Sequence, residues 1–166
     1  TGVEFGMPLA PVGERESFAE VVRTALPVVG PVSRGVGGNL GIPVRVPVLE
    51  DGSVRYVLSA IVRPEAILRV IKQQRIPEDW IVSVFDSRNM RVARSREHER
   101  YLGQPPAPTL LALMASSRGN EAIGPTSTVE GTRVETAIAR LHSTRWTVAL
   151  GIPASLHRYA MLESLF

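Results

Sequence analysis

The chain has 166 residues, of which 44% are hydrophobic and 21% charged, and it contains no cysteine. This apolar fraction is ordinary for a globular protein, so neither a collagen-like nor an intrinsically disordered chain is expected. Apolar segments such as residues 56–62 are too short to cross a membrane, which takes roughly 18 or more residues. The length fits one globular domain or two small modules.

The formal net charge of +3 is small beside the isoelectric point of about 9.9. Lys72 is the only lysine among the 19 basic residues. Arginine titrates at such a high pH that a small excess of it raises the isoelectric point strongly. The arginines are dispersed, with few aromatic residues beside them. Nucleic-acid binding is therefore not expected.

Two helices are predicted in the first half of the sequence. Apolar residues recur at helical spacing over residues 13–26, and Pro27 cannot continue the helix. Pro64 stands at the favourable first position of a second helix, which extends to about Gln74. A glycine-rich segment over residues 35–41 follows the first helix and is interpreted as a flexible connection.

A β-hairpin is predicted between these helices, with strands over residues 43–49 and 53–62. Asp51-Gly52 stands between the strands, and both residues tolerate the positive φ of a type I′ turn. Residues paired across such a turn share a face of the hairpin. The predicted mixed face carries Arg45, Pro47, Tyr56, Leu58 and Ala60, and the predicted aliphatic core face carries Val44, Val46, Val48, Val57 and Ile61.

The mixed face supplies the candidate ligand-binding residues. Arg45 is a potential clamp for a carboxylate, and Tyr56 a potential hydrogen-bonding lid. Arg34, in the loop before the hairpin, is a further candidate. The alternative interpretation is that Arg45 is solvated and Tyr56 only covers apolar surface. Arginine in this position favours an organic anion as the ligand.

The second half alternates again and predicts an antiparallel sheet with helices. Predicted strands cover residues 80–85, 90–95, 122–124, 132–142 and 145–151, and predicted helices cover 105–117 and a last segment from Pro153. A turn at Arg88-Asn89 would place Asp86 opposite Arg91 as a surface ion pair. The charged segment 94–100 is expected to be a solvated turn or helix face.

Around a turn at Ser143-Thr144, one face of the last two long strands is expected to be core. The predicted core residues are Ala137, Ala139, Leu141, Trp146, Val148 and Leu150, and the predicted polar face carries Thr136, Ile138, Arg140, His142, Arg145 and Thr147. Helices around several antiparallel strands, without βαβ units, indicate the α+β class.

The sequence resembles the Cache family of PAS-like sensor domains. The resemblance is carried by PVRVPVLEDGSVRYVLSAIV, DWIVSVFDSRNMRVARSREHERYLGQ and VEGTRVETAIARLHSTRWTVALGIPASL. Within these segments the pattern residues are Asp86, Arg94, Ser95, Gly103, Gly131, Trp146 and Pro153. In this family the pattern begins with a strand that ends in aspartate, continues through a turn, and includes a second strand that ends in arginine and serine.

The resemblance implies two PAS-like modules with antiparallel sheets flanked by helices. Residues 1–76 would form a membrane-distal module lacking its first hairpin, and residues 77–153 a membrane-proximal module. Residues 154–166 would begin a stem helix leading to a transmembrane segment. The resemblance also implies a periplasmic or extracellular location at the inner membrane, a small-molecule ligand and a homodimer anchored through flanking helices outside this chain.

Catalysis is not predicted. The three histidines lack metal-ligand spacing, so neither a metal nor another cofactor is expected. The sequence has no GxSxG motif and no phosphate-binding loop. The predicted function is ligand sensing for a membrane-bound bacterial signalling protein, with a histidine kinase or diguanylate cyclase as the parent. The alternative is a dimerisation or partner-interaction module without a ligand.

Overall fold

A computed structural model describes residues 12–35 and 37–155. The chain divides into two compact units, Thr1–Val62 and Arg63–Phe166, each with its own antiparallel sheet. The predicted α+β class is confirmed. Both tryptophans, Trp80 and Trp146, belong to the second unit. In the described part of the chain, no helix combines the length and hydropathy of a membrane span.

The first unit is a four-stranded sheet with one helix. Its elements are α1 (Glu16–Thr24), β1 (Val28–Val29), β2 (Ser33–Arg34), β3 (Leu40–Glu50) and β4 (Ser53–Val62). Strand β3 pairs with each of the other three strands. The predicted helix over residues 13–26 is shorter because the Glu14 carboxylate accepts the first backbone N–H groups of α1, from Glu16 at 2.8 Å and Ser17 at 3.1 Å.

The predicted turn of the β3–β4 hairpin is confirmed, but the predicted faces are wrong. Asp51 and Gly52 have φ values of 50° and 78°, as a type I′ turn requires. A register shift between Val48 and Leu49 then adds one residue, so Arg45 pairs with Ser59 and Val48 pairs with Tyr56. A one-residue shift moves side chains to the opposite face. Arg45 and Tyr56 therefore lie on opposite faces of the hairpin.

Arg45 joins α1 to the hairpin through a buried polar network. Its guanidinium donates to Ser17 Oγ at 2.8 Å, Ser59 Oγ at 2.8 Å and the Glu14 carbonyl at 2.7 Å. The Glu14 carboxylate lies 4.0 Å away and also binds the Ser17 hydroxyl. Only 4% of Arg45 is exposed. A buried charge needs such partners, so this side chain fixes how α1 packs on β3.

The second unit contains a five-stranded sheet with helices. Its elements are α2 (Pro64–Gln73), β5 (Ile81–Phe85), β6 (Arg91–Arg94), α3 (His98–Tyr101), α4 (Pro108–Ser116), β7 (Glu121–Ser127), β8 (Arg133–Arg140) and β9 (Thr147–Pro153). The sheet order is β6-β5-β9-β8-β7, antiparallel throughout. Helix α4 packs on this sheet, and the core comprises Phe85, Leu110, Met114, Ile138 and Ala149.

The pairing of β8 with β9 is as predicted, whereas the predicted core face is wrong. Ala137 pairs with Leu150 and Arg140 with Thr147, as a turn at Ser143-Thr144 requires. The buried side chains, however, are Val134, Thr136, Ile138, Thr147 and Ala149 from the face predicted to be polar. Trp146 is buried as predicted. Thr136 tolerates burial because its hydroxyl bonds that of Thr126 at 2.7 Å.

The charged segment over residues 94–100 is solvated at Arg96, Glu97, Glu99 and Arg100, as predicted, but two of its side chains are buried. Helix α3 places His98 and Tyr101 at 8% exposure each, and Arg94 before it is 2% exposed. Burial lowers the pKa of His98, although nearby Glu65 and Glu99 act in the opposite direction. The imidazole is therefore favoured in its neutral form within the fold.

The division of the chain falls earlier than the predicted boundary after residue 76. Helix α2 belongs to the second unit because it contacts β6. The assignment of the units as membrane-distal and membrane-proximal modules stays a prediction. Strand β9 ends at Pro153 and two helical residues follow. The rest of the predicted stem helix, and the opening residues 1–11, lie outside the described residues.

Replacing Arg45 with alanine is expected to lower the free energy of unfolding by about 3 kcal/mol, because it removes the buried guanidinium that Ser17, Ser59 and the Glu14 carbonyl bind. Urea denaturation followed by circular dichroism measures this change. Arg55→Ala is the matched control, since its ion pair with Glu50 is more than 60% exposed on both sides and is worth about 0–1 kcal/mol. Equal losses in the two variants would contradict a structural role for Arg45.

Candidate functional site

The three predicted ligand-binding residues do not converge. Arg45 is buried in the network with α1, Tyr56 is 65% exposed on the other face of the hairpin, and Arg34 donates to the Gly38 carbonyl at 2.8 Å. The guanidinium of Arg45 is engaged by groups of its own unit. Ligand binding by these residues stays a prediction.

A cavity of about 40 Å³ lies in the second unit, between the five-stranded sheet and α4. All five strands contribute to its wall, together with α4 and the segment after β7. The lining residues are Ile81, Ser83, Arg91, Arg94, Ala107, Leu110, Thr126, Ser127, Thr128, Val129, Val134, Thr136, Ala149 and Gly151. The wall is mainly apolar, with hydroxyl groups and two arginines as its polar part.

Both arginines come from β6, the strand at one edge of the sheet. Arg91 and Arg94 are its first and last residues, and each is only 2% exposed. Helices α2 and α3 contact this strand, which explains why an edge strand carries four buried residues. Two guanidinium groups in one buried region repel each other unless anions compensate them.

Arg94 has such a partner in Glu130. Its Nη2 lies 2.9 Å from each Glu130 carboxylate oxygen, and its Nη1 donates to the Arg96 carbonyl at 2.9 Å. The guanidinium also lies 4.8 Å from the centre of the Tyr101 ring. Burial alone would raise the pKa of Glu130, but hydrogen bonds involving Thr128 and the charge of Arg94 hold it below its usual value. The charge of Arg94 is thereby neutralised within the protein.

Arg91 forms no ion pair with a carboxylate in the described part of the chain, although the charge of Glu130 acts to raise its pKa. Its Nη1 reaches the Tyr101 carbonyl at only 3.4 Å, and its Nε has no hydrogen-bond partner in the described part of the chain. The guanidinium lies over the Phe85 and Tyr101 rings, at 5.0 and 5.6 Å from their centres. Burial and the neighbouring charge of Arg94 lower the pKa of Arg91 to about 10. It remains a cation at neutral pH.

The predicted ion pair between Asp86 and Arg91 is replaced by a turn. Asp86 Oδ1 accepts the backbone N–H groups of Arg88 at 2.8 Å and Met90 at 2.9 Å. A register shift between Val84 and Phe85 places Arg91 opposite Phe85 rather than Asp86. The aspartate therefore stabilises the β5–β6 turn, in which Asn89 adopts a positive φ of 59°.

The solved structures similar to this chain are sensor domains. The extracellular domain of mmHK1S-Z3, described as a proposed histidine kinase, superposes with a TM-score of 0.74 at 13% identity, over 94% of this chain and 59% of that one. The ligand-binding domain of the Campylobacter jejuni chemoreceptor Tlp3, in complex with L-norvaline, gives 0.63 at 15% identity, over 89% and 55%. The ligand-binding domain of Mlp24 with asparagine gives 0.64 at 12% identity, over 95% and 63%.

The fold is shared with these extracellular and ligand-binding domains, as the resemblance to Cache domains predicted. The predicted resemblance and the PAS-like architecture are thus confirmed at the level of the fold. No protein-family model matches the sequence, and no curated protein matches it significantly. The chain spans less than two thirds of each of the three structures above. Within this Cache fold, the cavity beside Arg91 is the strongest candidate for a functional site.

Glu130→Gln is expected to lower the melting temperature most at neutral pH, because it removes the anion that pairs with Arg94. A depressed pKa means that the ionised Glu130 stabilises the fold above its ordinary value of 4.5, and that this contribution is lost as the pH falls through the lower folded-state value. The difference between variant and wild type should therefore shrink in acid. Thermal melts between pH 3.5 and 7 measure it.

Glu50→Gln serves as the control, since Glu50 forms an exposed ion pair. A difference for Glu130→Gln that stays constant across this pH range would contradict the ion-pair explanation.

Proposed function

We propose that this chain is the ligand-sensing part of a membrane-bound bacterial signalling protein, with its ligand in the cavity of the second unit. The observation that carries the proposal is a cavity lined by all five strands and by a buried arginine with an unused donor. A concave apolar site with a few polar groups is the usual form of a small-molecule site. The Cache fold supports a sensing role rather than catalysis.

The periplasmic location and a histidine kinase or diguanylate cyclase as the parent protein belong to the same proposal. Structures with this fold include extracellular domains of proposed histidine kinases and the ligand-binding domain of a chemoreceptor. The output domain would act on the inner side of the membrane, where the ligand does not reach. The signal must then pass along the chain.

Strand β9 provides the connection for such a signal. Ala149 and Gly151 line the cavity, and β9 ends at Pro153, where the predicted stem begins. A ligand that binds one arrangement of the sheet more tightly than another shifts the population toward it. Strand β9 both lines the cavity and leads out of the second unit. A change in the position of β9 on ligand binding would therefore move the start of the stem.

Thermal melts of the chain with carboxylates, amino acids, amines, purines and sugars test the sensing function. A ligand at 100 times its Kd adds about 2.7 kcal/mol of stability, or about 5–10 °C for a protein of this size. Amino acids belong in the panel because Tlp3 and Mlp24 have been crystallised with them. Failure of every compound to shift the melt would contradict the proposal.

The exposed face of the β3–β4 hairpin favours a second candidate function, dimerisation. Val46, Val48, Tyr56 and Leu58 lie on one face and are between 41% and 69% exposed. Monomeric proteins rarely expose a contiguous apolar surface of this kind. A second copy of the chain would cover it, as expected for a homodimeric sensor.

Leu58→Glu is expected to convert a dimer into a monomer in sedimentation-velocity experiments, because it places a charge in the apolar face. Ile123→Glu is the control, since Ile123 is equally apolar and 73% exposed but lies in the second unit. A wild-type chain that sediments as a monomer at high concentration would rule out dimerisation through this face.

A further inference from the structure

We infer that the cavity of the second unit binds a short monocarboxylate whose charge is neutralised by Arg91. This inference rests on the proposed sensing function and names its ligand class. It is carried by the charge, size and wall chemistry of the cavity.

The charge of the ligand is inferred from the different surroundings of Arg91 and Arg94. Arg94 is matched by Glu130, whereas no ion pair of the described residues includes Arg91. Arg91 therefore gives the cavity wall a positive charge without an ion-pair partner among the described residues, although the charge of Glu130 also acts on it. Arg91 also keeps a buried Nε–H without an acceptor. A bound carboxylate would compensate the charge through charge-assisted hydrogen bonds to the guanidinium.

The size of the cavity limits the rest of the ligand. Its volume is about 40 Å³. A water molecule needs roughly 10–15 Å³ measured in this way, so the cavity holds about three water-sized groups. A carboxylate with one or two further carbons has this size. Purines and sugars would extend beyond a volume of this size.

The groups that line the cavity favour a simple carboxylate over a free amino acid as the ligand. No acidic side chain is among the described residues lining the cavity, so an ammonium group would find no anion there. Glu130, next to the lining residue Val129, is already held by Arg94. Leu110 and Ala149 offer instead an apolar surface to a short alkyl group. Acetate or propionate fits these three conditions, whereas a zwitterion or a dicarboxylate does not.

Titration of the wild-type chain with acetate, propionate, acetamide, methylammonium, glycine and malonate tests the inference without any mutation. Isothermal calorimetry and the chemical shift of carboxyl-labelled acetate report binding. We expect acetate or propionate to bind, and acetamide, which has nearly the shape of acetate but no charge, to bind at least about tenfold more weakly. Equal binding of acetamide would overturn the role of charge.

Arg91→Gln then locates the site, because it shortens the side chain and removes its charge. Acetate affinity should fall at least about tenfold. Arg100→Gln is the matched control: its guanidinium lies 5.3 Å from the centre of the same Tyr101 ring but is 68% exposed, so it should leave the affinity unchanged. Circular dichroism spectra and melts establish that both variants are folded. Unchanged acetate binding in folded Arg91→Gln would overturn the assignment.

The outcomes also separate this inference from the proposed function. If an amino acid, amine, purine or sugar stabilises the chain and short carboxylates do not, the ligand class is wrong while the sensing function stands. If no compound of either panel binds, both fail. If acetate binds and Arg91→Gln abolishes binding, both are supported together.

Discussion

Buried arginine charge is the constraint that shapes both units. Arg45, Arg91 and Arg94 are between 2% and 4% exposed, and at neutral pH a guanidinium does not lose its proton to escape the cost of burial. Arg45 is satisfied by helix α1, and Arg94 by Glu130 on the segment that follows β7. Each of these two residues therefore connects a sheet to an element outside it. Arg91 instead lies over the faces of two aromatic rings. The second unit therefore has a site with a positive charge that no ion pair of the described residues compensates.

The fold was largely predictable where local chemistry decides the structure. Asp51-Gly52 predicted its turn correctly because few residue pairs accept two positive φ angles. Pro64 likewise begins α2 as predicted. The register of the hairpin was not predictable, since the shift between Val48 and Leu49 has no signal in the turn residues. That single shift separated Arg45 from Tyr56 and removed the predicted site.

The candidate site was harder to predict because it depends on which face of a sheet is covered. The pairing of β8 with β9 followed from the turn, but Thr136 and Thr147 gave the buried face a polar composition in the sequence. Hydroxyls can pair across strands inside a core, as Thr126 and Thr136 do. Arg91 was assigned to Asp86, whose carboxylate is instead used by the backbone of its own turn. The signal in the sequence was the position of Asp86 at the start of a tight turn, where an aspartate side chain commonly accepts the backbone N–H group two residues later, here that of Arg88.

The placement of Trp80 and Trp146 in the second unit determines what fluorescence can report. Thr1–Val62 contains no tryptophan, and Tyr56 is its only tyrosine. Tryptophan fluorescence excited at the red edge of the protein absorption band therefore reports the unfolding of the second unit alone. Far-ultraviolet circular dichroism reports the unfolding of both units. A separation between the two signals during denaturation would reveal independent melting of the halves without any label or engineered probe.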